Sequence, residues 1–218
     1  MIKRKSLIFG IIFIAAFFVW TLLVRFVDVQ QIGPNGSSVG FATLNGAFRD
    51  FIGVNMSLYV ITDWLSLVPL GIVFGFAVLG FIQLIKRKRL TRVDFSILAL
   101  GGFYVVVISI YILFEMIDIN YRPVLINGYL ERSYPSSTTV LVMCIMLTSI
   151  MQLKNRIKRK TIRRSVIGVM VAFTAFMIVG RVLSGVHWIT DIIGGALIST
   201  GLVLIYHSVC QVKLDLEP

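Results

Sequence analysis

Residues 7–24 read LIFGIIFIAAFFVWTLLV, an unbroken apolar stretch with no charged side chain. A helix rises about 1.5 Å per residue, so a stretch of this length crosses the roughly 30 Å hydrocarbon core of a bilayer. It is longer than the apolar region of a usual secretory signal, and no small-x-small cleavage site follows it. It is therefore expected to be an uncleaved first span. Five further apolar runs follow, at about Leu65–Ile85, Phe95–Phe114, Thr138–Leu153, Val166–Val182 and Trp188–His207. In lipid every backbone N–H and C=O must be satisfied within the segment, so each run is expected to be a helix.

Composition leads to the same place. The 218 residues are 57% hydrophobic and 14% charged, against about 25% charged in an ordinary soluble domain. That much apolar surface needs lipid as part of its solvent. The fold class expected is all-α: a single domain over residues 1–218, built as a six-span transmembrane bundle. The formal net charge of +11 does not indicate nucleic acid, because the basic residues sit in short clusters between apolar runs. Lys3, Arg4 and Lys5 precede the first run. Lys86, Arg87, Lys88, Arg89 and Arg92 follow the second. Lys154, Arg156, Lys158, Arg159, Lys160, Arg163 and Arg164 follow the fourth, and Lys213 follows the sixth. With six spans all of these fall on one side, leaving Arg25, Arg49, Arg122, Arg132 and Arg181 on the other. The positive-inside rule places both termini in the cytoplasm. The short inner loops and basic N-terminus suit a bacterial plasma membrane.

Smaller features complete the organisation. In the first outer loop Phe48, Phe51, Ile52 and Leu58 recur at near-helical spacing around Arg49 and Asp50. This predicts a short amphipathic helix lying in the interface, where it could roof a lipid site. Gly71 and Gly75 form a GxxxG, expected to pack closely against another helix. Cys144 and Cys210 lie within or at the end of apolar runs and are expected to be packing residues.

The outer-side charges gather at the ends of the last four spans. Arg122-Pro123 forms one group and Tyr134-Pro135-Ser136-Ser137-Thr138-Thr139 a second. The third runs from Gly180-Arg181 through His187 to Asp191. Arginine, histidine and aspartate at membrane depth are costly without partners, which marks them as functional candidates. His187 and Asp191 are four apart, on one face of a helix, so Asp191 can accept from one ring nitrogen and leave the other as base or nucleophile. Guanidinium forks at Arg122 and Arg181 suit phosphate oxygens. The helix beginning near Ser136 and Ser137 offers free N–H groups and a positive dipole end to an anion. Together these parts describe a phosphate cradle with a histidine aimed into it.

From about Glu115 to Gly195 the sequence resembles the type 2 phosphatidic acid phosphatases, relatives of the vanadium haloperoxidases. Their pattern is KxxxxxxRP, then PSGH, then SRxxxxxHxxxD. The resemblance implies that His187 attacks phosphorus and becomes phosphohistidine, oriented by Asp191. It implies that Arg122 and Arg181 hold the phosphoryl oxygens, with Ser136 and Ser137 completing the cradle. It implies no metal and no cofactor; the partners implied are a membrane lipid phosphate or diphosphate and the bilayer, at an extracytoplasmic site. Three departures from the pattern matter: Glu115 replaces the lysine, Gly180 the serine, and Thr138 the histidine that protonates the leaving group. A threonine hydroxyl is too weak an acid for that role, and general acid catalysis is typically worth about 100- to 10,000-fold. His207 is a membrane thickness away. Tyr134, Asp118 and Glu131 are the other candidate proton donors. The loss matters less for a lipid diphosphate, whose leaving group is itself a phosphate. Three functions stay open: a lipid phosphate or diphosphate phosphatase, an inactive relative that binds a phospholipid head group or acts as a scaffold, and a phosphotransferase to an acceptor other than water.

Overall fold

A computed structural model describes residues 2–214. It contains eight α-helices: α1 (Ile2–Phe26), α2 (Ala42–Ile52), α3 (Met56–Leu65), α4 (Leu67–Arg87), α5 (Phe95–Glu115), α6 (Ser137–Arg156), α7 (Lys160–Ser184) and α8 (Ile189–Leu214). Six stretches are long and apolar enough to cross a membrane, with α3 and α4 running together as one, Met56–Arg87. The chain is an integral membrane protein. Its second span begins earlier than the expected Leu65, because Met56–Leu65 is apolar apart from Asp63 and continues into α4 with only Ser66 between. Lys3 and Lys213 lie outside the described side chains.

α6 and α8 are the inner helices. α8 packs against α1, α5, α6 and α7, and α6 also meets α4 and α5. Both inner helices carry small polar residues that bond along or across the bundle, which is what an interior helix can afford and a lipid-facing one cannot. Ser199 donates to the Gly195 carbonyl, Thr148 to that of Cys144, and the buried Gln152 reaches Tyr206 and the Ser96 carbonyl. The outer helices expose large apolar side chains such as Phe18, Phe74, Phe81 and Val105. Cys144 is fully buried, and neither it nor Cys210 is in a disulfide. One expectation fails: a Cβ added at Gly71 or Gly75 meets nothing within 4 Å. Among the described residues, that GxxxG packs closely against no neighbour.

Of the residues expected to form one short helix between the first two spans, Phe48, Phe51 and Ile52 lie on α2 and Leu58 lies on α3. Gly53, with φ at 73°, ends α2, and α3 starts after Asn55, whose side chain accepts from the Leu58 N–H. At the other end of the bundle His207 Nδ1 lies 3.2 Å from Ser6 Oγ, far from every feature described next.

Candidate functional site

The site is built at one end of the bundle from the α7–α8 turn, the α5–α6 loop, and α3. α7 closes at Gly185, whose φ of 64° is the left-handed conformation that ends many helices. A Cβ there would stand 2.0 Å from the Gly53 carbonyl oxygen, so only glycine lets the α2–α3 link sit against this turn. The Asn55 N–H donates to the Ser184 carbonyl at 2.9 Å and fastens the contact.

His187 follows at once, with 2% of its side chain exposed. α8 then begins, and Asp191 reaches back to accept from the Trp188 backbone N–H at 3.1 Å. This is the reciprocal half of a capping box, which explains an aspartate in the first helical turn. Its other oxygen accepts from Asn120 at 3.3 Å. The gap from His187 Nδ1 to Asp191 Oδ2 is 3.7 Å, beyond hydrogen-bond distance, and Nδ1 has no partner among the described residues. The two residues do share one face, as their spacing requires.

The α5–α6 loop brings Arg122. Its backbone pairs with Glu131, and the Trp188 indole donates to the Tyr121 carbonyl at 2.7 Å, clamping the loop to the α7–α8 turn. The Arg122 Nε lies 2.9 Å from Glu131 Oε2, and Nη1 lies 3.1 Å from His187 Nε2. Arginine can only donate, so Nε2 is the accepting nitrogen and the imidazole is neutral, with its proton on Nδ1. Burial pushes the imidazole well below its ordinary 6.5, and the charges of Arg122 and Arg181 push the same way. A neutral ring with its lone pair at Nε2 is the form a nucleophile needs.

Arg181 comes from the last turn of α7, only 1% exposed. Its Nη2 donates to Asp63 Oδ1 at 2.9 Å, while Nε and Nη1 are buried with no hydrogen-bond partner among the described residues. The Tyr59 ring lies against both guanidinium groups, 4.9 Å from that of Arg181 and 5.7 Å from that of Arg122. Tyr59 and Asp63 are four apart on α3, which puts both on the face that meets α7. Gly180 allows this approach: a Cβ there would be 2.7 Å from Thr62 Cγ2. The missing serine is thus explained by the packing of α3.

A small cleft opens beside His187, lined by Glu115, Arg132, Ser133, Tyr134 and Ser137 among others. Ser137 faces it at the start of α6. Ser136 does not: its N–H donates to the Asp191 carbonyl at 3.0 Å and its Oγ accepts from Thr139. Ser136 therefore ties α6 to α8. Glu115 lines the same cleft as His187, whereas Thr138 is buried and lines no part of it. Two alternative proton donors are poorly suited. Burial raises the Tyr134 phenol far above its ordinary value, and its oxygen is held 2.7 Å from Thr21 Oγ1. The Arg132 guanidinium lowers the Asp118 carboxyl, leaving it ionised near neutral pH.

The three motif groups thus meet at one end of the bundle. Residues 99–214, more than half of the chain, match the family model of the PAP2 superfamily. The chain belongs to the PAP2 superfamily. No curated protein sequence matches it. A solved structure, described as the first transmembrane PAP2 type phosphatidylglycerolphosphate phosphatase from Bacillus subtilis, is similar in fold. It shares 16% sequence identity and a TM-score of 0.52, over 94% of this chain and 96% of that one.

Within this PAP2 chain, sequence reading missed Tyr59, Asp63 and Asn120. Asp63 carried a usable signal, since an aspartate inside an apolar helix implies a partner. Tyr59 and Asn120 carried none, because neither residue type nor spacing distinguishes them from ordinary packing.

Proposed function

We propose that this PAP2-superfamily protein is a lipid phosphate or diphosphate phosphatase acting through a phosphohistidine at the extracytoplasmic face. The observation that carries this is the contact between Arg122 Nη1 and His187 Nε2, 3.1 Å. A guanidinium held against the nucleophilic nitrogen marks where a phosphoryl group would sit between them. On binding, Arg122 shifts its donors to phosphoryl oxygens and frees the Nε2 lone pair. Arg181 offers its two unpartnered donors, and Ser137 at the start of α6 adds a hydroxyl at a positive dipole end. Nε2 attacks phosphorus, the bond to the leaving oxygen breaks, and water later cleaves the phosphorus–nitrogen bond. Asp191 sets the angle of α8 and offsets positive charge as the ring is phosphorylated. The extracytoplasmic placement rests on the basic clusters at the opposite end of the spans.

The experiment is phosphate release by purified protein from undecaprenyl diphosphate and from phosphatidic acid, with wild type and His187→Ala side by side. Loss of release in the variant is expected. Equal release by both proteins ends this reading.

A second reading, an inactive relative that binds a phospholipid head group, is favoured by Thr138, which replaces the proton donor and stays out of the cleft. It expects an inert parent and a Thr138→His protein that gains large activity. Head-group binding indifferent to both Arg122→Ala and Arg181→Ala would count against it.

A further inference from the structure

Asn120 stands two residues before Arg122, at a position that the KxxxxxxRP pattern leaves unspecified. It is 1% exposed, and its carbonyl accepts from the Ser133 N–H at 2.9 Å. The Gly40 N–H, which can only donate, donates to Asn120 Oδ1 at 3.1 Å. That bond fixes the amide: the oxygen faces Gly40, and the Nδ2 group donates to Asp191 Oδ1 at 3.3 Å. The Gly40 carbonyl in turn accepts from the buried Asn45 Nδ2 at 2.7 Å, and Asn45 Nδ2 donates to Thr190 Oγ1 at 3.0 Å. Two buried asparagines thus tie one peptide of the α1–α2 loop to adjacent residues in the first turn of α8. Gly40 and Asn45 lie outside residues 99–214, which match the family model.

The Asp191 side chain has no exposed surface. A carboxylate so placed needs a donor on each oxygen. The Trp188 N–H serves Oδ2 and Asn120 serves Oδ1. With both oxygens held, the carboxylate cannot rotate away from the imidazole, and Oδ2 stays 3.7 Å from His187 Nδ1. We propose that Asn120 is a positioning residue for the reaction, whose amide donor locks the Asp191 carboxylate behind the His187 ring. The inference rests on the phosphatase reading above and extends it. As Nε2 bonds to phosphorus, and the leaving oxygen keeps the electron pair of the bond that breaks, the ring becomes positively charged. A carboxylate already fixed behind the ring stabilises that charge without reorganising. Asn120 acts through Asp191 and not on the phosphoryl group, so its effect falls on turnover and not on substrate binding.

Two substitutions separate this role from a merely structural one. Asn120→Ala removes both side-chain bonds. Asn120→Asp keeps the size and the acceptor for the Gly40 N–H, but replaces the donor to Asp191 with a carboxylate oxygen. Phosphate release from undecaprenyl diphosphate and from phosphatidic acid is followed for the full-length proteins in detergent. Both variants should lose kcat by about tenfold or more, with KM within about threefold of wild type. Wild-type kcat in Asn120→Asp would show that only the Gly40 bond matters and overturns the proposal, as does a loss confined to KM. A wild type that releases no phosphate from either lipid ends the phosphatase reading instead. The positioning is then decided by nitrogen NMR of the histidine rings in the same proteins, with His207 as the reference. The His187 ring signals should move in both variants while those of His207 stay in place. His187 signals that move in Asn120→Ala alone, or in neither variant, overturn it.

Discussion

Asp63 and Arg181 form an ion pair of 2.9 Å across α3 and α7, in which the carboxylate is 58% exposed and the guanidinium 1%. The asymmetry matters. Asp63 can be rehydrated cheaply, whereas Arg181 depends on it for its single bonded donor and has two further donors buried without partners.

Asp63→Ala should therefore lower stability by about 1–3 kcal/mol, the usual cost of a buried donor left unpaired. Orthophosphate should restore more of the lost thermal stability in the variant than it adds to wild type, because it can occupy the vacated side of Arg181. Equal phosphate-induced shifts in the two proteins would count against an anion site at Arg181.

Tyr59 lies against both Arg122 and Arg181 through its ring, not its hydroxyl. Contacts of this kind are worth roughly 0.5–2 kcal/mol each. Tyr59→Phe should keep phosphate release within about threefold of wild type, and Tyr59→Leu should lower kcat/KM by about tenfold or more. A Phe variant as impaired as the Leu variant would show that the hydroxyl, not the ring, is what matters.

Gly180→Ser restores the family residue but drives a Cβ to 2.7 Å from Thr62 Cγ2. Overpacking of this kind costs about 1–3 kcal/mol. Thr62→Ser removes that methyl and keeps the hydroxyl that bonds the Leu58 carbonyl. The double variant should recover most of the loss in thermal unfolding. No loss in Gly180→Ser alone would mean that α3 is not held where the close approach requires.

The depressed pKa of His187 links stability to pH. Between its folded value and 6.5 the unfolded chain holds a proton that the folded chain does not. Stability therefore rises with pH up to about 6.5 and is lost as pH falls below it, by at most about 1.4 kcal/mol per unit. Apparent Tm measured from pH 7 to pH 5 should fall more steeply in wild type than in His187→Gln. Parallel curves would show that His187 is not held in its neutral form.

Much of the fold was legible because lipid imposes a simple rule: a span must be apolar over its whole length, and its backbone must bond within itself. The boundary errors follow from the same rule. The second apolar run was expected from Leu65, just past Asp63, yet the helix begins at Met56 and Asp63 pairs with Arg181. Gly71 and Gly75 show the limit of pattern, since small residues at helical spacing permit close packing but do not supply a neighbour.

The site divides in the same way. Arg122, Arg181, His187 and Asp191 were identifiable because charge at membrane depth is costly and their order matches a motif. Their chemistry could be read from residue type alone, since guanidinium and imidazole have fixed donors and acceptors. Which way each side chain turns could not. Ser136 faces Thr139 and Ser137 faces the cleft, although the two are adjacent and alike. Sequence alone determined that this chain spans a membrane by helices and carries phosphate-type chemistry at one end, because burial cost and donor inventory are local properties. Tertiary structure decided which residues meet, through the Tyr59–Asp63 face of α3 and the bond from Asn45 of α2 to Thr190. Those contacts join segments more than a hundred residues apart, and no local propensity records them.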